Sequence, residues 1–154
     1  MNAYEIYKFV HILSAMAWFG TGVALHILLL RSRSSRDARL MASLSQASVT
    51  MGRILFTPLS LLTLLSGILM VIESPGIRFG DAWILIGFGG IVLSAVLGMS
   101  VLGPAGRRLA ELAQARGTVD AEVMAASTKG VIAARVDIVA LAFVVWAMVA
   151  KPLF

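Results

Sequence analysis

The sequence predicts an all-α integral membrane protein, a four-helix bundle. Three observations lead there. The 154 residues are 59% hydrophobic and only 14% charged, whereas soluble domains carry about 25% charged residues, so lipid is the expected main solvent. Four apolar stretches, residues 4–30, 54–72, 82–102 and 131–150, each approach or exceed the roughly 20 residues that cross a hydrocarbon core. The stretches are continuous rather than alternating, which favours helices over barrel strands. No internal repeat stands out, and residues 1–154 read as a single four-helix transmembrane domain.

The first span holds both histidines, His11 and His26, with Trp18, Gly20 and Gly22. The N-terminal MNAYEIYK lacks a basic segment ahead of a short apolar core, so this span is read as uncleaved. The second span begins before the membrane, because Leu40, Met41, Leu44, Ala47, Ser48 and Met51 keep helical spacing. Pro58 frees a backbone carbonyl and predicts a kink. Thr57, Ser60, Thr63 and Ser66 offer hydroxyls within the helix or across to a neighbour. The third span opens at Trp83, an interfacial anchor, and carries Gly87, Gly89 and Gly90, read as tight helix packing. Beyond the Gly103–Pro104 interruption, Leu109, Leu112 and Ala113 continue its helical pattern. The fourth begins early, near Val119 to Met124, with Asp120 and Glu122 suiting its first turn. Helices two to four are therefore expected to project into the cytoplasm as a short bundle, the alternative being amphipathic segments lying at the interface.

Charge sets the expected orientation. Arg31–Arg39, RSRSSRDAR, is strongly basic, and the third connection carries Arg107, Arg108, Arg116 and Lys129. The second, ESPGIRFGD, is nearly balanced. By the positive-inside rule the first and third connections are cytoplasmic and both termini lie outside. The expected location is the bacterial inner membrane, crossed several times. The formal charge of +5 does not imply nucleic acid, since the arginines flank apolar spans. The lipid bilayer is the expected partner, with a homo-oligomer or a partner membrane subunit left open. The chain has no cysteine, which excludes disulfides, thiolate metal sites and cysteine nucleophiles.

Two polar constellations lie within the spans. His11 and His26 are fifteen residues apart, about 22 Å along a helix and roughly 60° apart around it. They share a broad stripe but cannot ligate one metal together. Ser14, Ala15, Trp18 and Gly22 follow His11 on its face and let a helix or a flat ligand approach. His11 reads either as a ligand or proton relay, or as a structural donor to a neighbour. At the inner boundary, His26, Arg53, Arg135 and Asp137 form an inner polar cluster. Asp137 is the one acid well inside a span and needs a partner. Arg53 or His26 is expected to supply it, either as a structural ion pair or as a proton path. Arg135 is expected to snorkel toward lipid phosphate. The eight methionines read as packing filler rather than a copper ladder.

These residues carry a resemblance. Lys8–Phe–Val–His11–Ile followed by Trp18–Phe19–Gly20, then Thr57–Pro58, Leu62–Thr63 and Gly67, then Trp83, resemble the first three helices of HemJ-type membrane proteins. Those proteins bind haem and are linked to protoporphyrinogen oxidation, and the CopD membrane domain looks distantly related. Two departures stand out: Ile84–Gly90 has no lysine, and the tyrosine–histidine pair of that helix is absent. The helix-one histidine and Val101–Leu109 are similar to a family of small bacterial integral membrane proteins in the same broad group. The resemblance implies a haem or porphyrin-like ligand, haem b, with His11 as its metal ligand and Trp18, Gly22, Thr63 and Gly67 around it. A redox or haem-handling role follows. A metal or proton transport component and a non-catalytic accessory subunit are the alternatives. There is no Walker loop, G-x-S-x-G or H-E-x-x-H, and whether the protein is an enzyme stays open.

Overall fold

The structure, a computed structural model, describes residues 2–152. Among them are four helices long and apolar enough to cross a membrane: α1 (Ala3–Ser35), α2 (Ala38–Glu73), α3 (Ala82–Arg116) and α4 (Ala121–Ala150). The extensions expected for helices two to four are therefore present. Many large apolar side chains face outward, among them Phe9, Ile72, Val92, Val139 and Val149. That belt is costly in water and natural in lipid.

Local chemistry sets the helix ends. Asn2 caps α1 in a capping box: its Oδ1 accepts from the Glu5 amide at 2.9 Å, and its own amide donates to Glu5 Oε2 at 3.0 Å. Arg36 closes α1 in the left-handed region at φ 52°. Asp37 then caps α2, accepting from the Arg39 and Leu40 amides. Between α3 and α4, Gly117 takes φ 65° and its amide caps Ala113 O. Asp120 caps α4 by accepting from the Val123 amide at 2.9 Å. Arg116 ties this corner to Asp120 at 2.7 Å and also to Glu122.

Pro58 and Pro104 do not break their helices. A π-turn, Gly52–Phe56, precedes Thr57–Pro58, and a second, Gly98–Leu102, precedes Gly103–Pro104. The Thr57 amide bonds to Gly52 O and the Gly103 amide to Gly98 O, each spanning five residues. Proline lacks an amide and its ring collides with the carbonyl four residues back; widening the turn absorbs both. The expected interruption at Gly103–Pro104 is thus a wide turn inside a continuous α3.

These turns divide α2 and α3 into two halves that choose different neighbours. In the membrane, Thr57–Glu73 packs on α1, and Ala82–Leu97 packs on α4. Toward the basic end, Ala38–Met51 packs on Gly103–Arg116. There Ala38, Met41, Leu109, Ala113 and Val123 form the buried hydrophobic cluster. The membrane halves of α2 and α3 barely meet, while α1 also touches α4. The bundle is clamped at the basic end, and the membrane halves of α2 and α3 stand apart.

Glycine makes the α3–α4 contact close. A Cβ on Gly87 would collide with the Met148 methyl, and one on Gly90 with Val144 Cγ2. Gly89 has nothing near it. At the terminal end, the Lys151 ammonium sits 5.2 Å from the centre of the Trp83 ring, tying the end of α4 to the start of α3.

Candidate functional site

The split between helix pairs leaves a cavity of about 650 Å³, within the range of about 300–1,000 Å³ typical of small-molecule sites. Its walls come from all four helices: Trp18 and Gly22 of α1, Phe56 and Ser60 of α2, Ile91 and Ser94 of α3, and Val131 and Ile138 of α4. Most of the wall is apolar. The exceptions include three side-chain atoms that are buried without any hydrogen-bond partner: His26 Nδ1, Asp137 Oδ1 and Ser45 Oγ. His26, Asp137 and Ser45 all line this cavity. Ser94 lines the same cavity as Asp137.

An orphaned polar atom in a protein interior costs about 1–3 kcal/mol, so three around one cavity call for an explanation. The structure brings His26, Arg53 and Asp137 to the same cavity. It does not pair them. Among the described residues Asp137 has no ion pair within 4 Å, and the ion pairs present join Arg108 and Arg116 to Asp120 and Glu122. The expected Asp137 partnership with Arg53 or His26 is not formed, although α1 and α4 touch. Arg135 is exposed and lies outside the cavity lining.

His11 sits at a second, smaller cavity. Its Nδ1 lies 2.8 Å from Thr63 O and 3.4 Å from Ser66 Oγ. A carbonyl only accepts, so Nδ1 carries the proton and Nε2 keeps its lone pair. Gly67 makes this contact feasible: a Cβ there would stand 3.1 Å from His11 Cε1. Thr63 Oγ1 also lies 2.9 Å from Ser14 Oγ, so α1 and α2 are joined by a small polar knot. Met70, Trp83 and Met148 share the cavity with His11.

An imidazole whose Nδ1 proton is held by a carbonyl is the usual preparation of a metal ligand. The space does not match a haem, however. The His11 cavity measures about 60 Å³, room for a water or two and not for a macrocycle. Of the five residues grouped around a haem, His11, Thr63 and Gly67 line this small cavity, while Trp18 and Gly22 line the large one. Gly22 is occupied by packing, with the Phe56 ring 3.6 Å from where its Cβ would be. The residues around His11 therefore do not fit a haem in this packing.

Sequence reasoning passed over Ser45, Ser94 and Arg107 as site residues. Ser94 was the discoverable one, a hydroxyl midway along a largely apolar span. The repeated spacing in GRILFTP and GMSVLGP, glycine six residues before proline, signals the paired π-turns.

Residues 5–152 match a family described as a predicted integral membrane protein, DUF2269. No curated protein and no solved structure matches the chain. With a match over nearly its whole length, the chain belongs to the DUF2269 family of predicted integral membrane proteins.

Proposed function

We infer that the protein binds an amphipathic small molecule inside the membrane, in the cavity between its two helix pairs. One observation carries this: His26, Asp137 and Ser45, each with one buried and unpartnered side-chain atom, all line one ligand-sized cavity. Those atoms have almost no accessible surface, so a turn of each side chain toward the cavity would let a ligand, or water accompanying it, supply the missing hydrogen bonds. The apolar walls suit the ligand's body. The basic end faces the cytoplasm by the charge of its connections, which puts His26 and Asp137 near the inner leaflet of the bacterial inner membrane.

The absence of cysteine gives a clean test. Ala134 lines the cavity and Val139 faces lipid. Maleimide attack needs a hydrated thiolate. In native membranes Ala134→Cys should react and Val139→Cys should not. Equal silence at both would mean a dry, closed core and would remove the cavity as a site.

A haem or porphyrin-type ligand is the second reading, and it moves from His11 to His26. The favouring observation is that His26 is the histidine on the cavity of sufficient volume. Haemin titration in detergent should then give a Soret band that His26→Ala abolishes and His11→Ala retains. The reverse pattern would return the ligand to His11, and no band at all would remove haem from consideration.

A further inference from the structure

The cavity runs from mid-membrane to the basic end, and its two ends differ in chemistry. Trp18, Leu64 and Ile91 line the deep part. Arg53 and Arg107 line the part toward the basic end. We propose that the ligand is a single-chain anionic amphiphile, with its carboxylate or phosphate head between Arg53 and Arg107 and its apolar body directed toward Trp18. This rests on the cavity reading above.

Both arginines are mounted at the wide turns. Arg53 belongs to the first π-turn, Gly52–Phe56, and Arg107 lies one helical turn past Gly103, which closes the second. The Nη1 of Arg107 lies 3.5 Å from where a Cβ on Gly103 would be, an ordinary contact distance. The guanidinium thus folds back along α3 toward the π-turn. Neither arginine takes part in an ion pair among the described residues; the acids of the α3–α4 corner are taken by Arg108 and Arg116.

An isolated arginine at a membrane boundary pairs with any lipid phosphate. Here two line the same concave, largely apolar space. Opposite them the cavity holds one carboxyl, Asp137, and an imidazole, His26, so the balance of charge on its lining favours an anion. Guanidinium groups hold carboxylates and phosphates through paired, charge-assisted hydrogen bonds. A cavity of about 650 Å³ suits one chain rather than a two-tailed phospholipid.

Trp18 on the cavity wall provides the readout. With Trp83→Phe and Trp146→Phe, it is the remaining tryptophan of the three. The full chain in phosphatidylcholine nanodiscs is titrated with a brominated long-chain fatty acid and, separately, with its methyl ester. The expected result is that the acid quenches Trp18 at about tenfold lower mole fraction than the ester. Arg53→Gln with Arg107→Gln should erase that difference while leaving the ester curve in place, and Arg53→Lys with Arg107→Lys should keep part of it. Hexadecyl phosphate should displace the acid and inorganic phosphate should not. Displacement by inorganic phosphate alone would overturn the amphiphile in favour of a free anion. Equal quenching by acid and ester would overturn the anionic head and leave the cavity standing. Quenching by neither, beyond that of brominated phosphatidylcholine, would overturn the proposal and the cavity reading together.

Discussion

Asp137 is the residue whose placement is hardest to justify by stability. It is buried at 7% exposure with Oδ1 unpartnered. Replacing such a group with an apolar one of similar size is neutral or stabilising, because the unmet desolvation cost disappears. Asp137→Leu should therefore raise the thermal midpoint in detergent, by the equivalent of about 1–3 kcal/mol, and lose ligand binding. A residue kept for folding alone would show the opposite sign in the melt. His11 behaves differently, since its imidazole is engaged with Thr63 O. Gly67→Ala must push that ring by a few tenths of an ångström. Its cost should shrink in a His11→Ala background, with a coupling of about 0.5–3 kcal/mol in a double-mutant cycle. Strict additivity would mean that the two residues do not press on each other.

At the scale of the helices, close approach and capping make separable predictions. Val144 is β-branched and cannot swing away from a new methyl at Gly90. Gly90→Ala should destabilise the α3–α4 pair by about 1–3 kcal/mol, the range for overpacking. Gly89→Ala, with open space around it, should be neutral or slightly stabilising. Equal effects in chemical denaturation would contradict this packing. Outside the membrane, Asp120 caps α4. The Val123 amide, its main partner, and Arg116 beside it hold its carboxyl below the ordinary value of 3.8. A carboxylate with a lowered folded pKa adds stability that is complete above its unfolded pKa. That contribution is lost as pH falls through the folded value. The α3–α4 corner should thus keep its cap at neutral pH and loosen only below about pH 4. The Val123 amide resonance should report this, and Asp120→Asn should flatten the acid response.

At the scale of the whole molecule, the four spans and their extensions were legible because hydropathy and helical spacing act along one chain. Met41, Leu109 and Val123 could be placed in a projecting bundle from periodicity alone, and they do form its buried cluster. The cavity was not legible, because it depends on which halves of α2 and α3 choose which neighbours. Pro58 and Pro104 were visible, but a proline announces a disturbed helix without saying that a π-turn will keep it continuous. The grouping of His26, Arg53 and Asp137 followed from depth, which one sequence reveals. Their failure to pair depends on how the side chains of α1, α2 and α4 are turned in the packed bundle, which it does not. For His11 the motif pointed to the residue, while the volume beside it is set by Met148 and Trp83 from distant parts of the chain. Clamped at the basic end and split in the membrane, the bundle is built around one central cavity. The most direct test is native mass spectrometry of the protein released gently from its own membranes. The wild type should carry a discrete bound mass of one small molecule, absent from Asp137→Leu and from Arg53→Gln with Arg107→Gln. A wild type that flies at its bare mass, or an adduct equally present in both variants, would contradict a ligand held in that cavity.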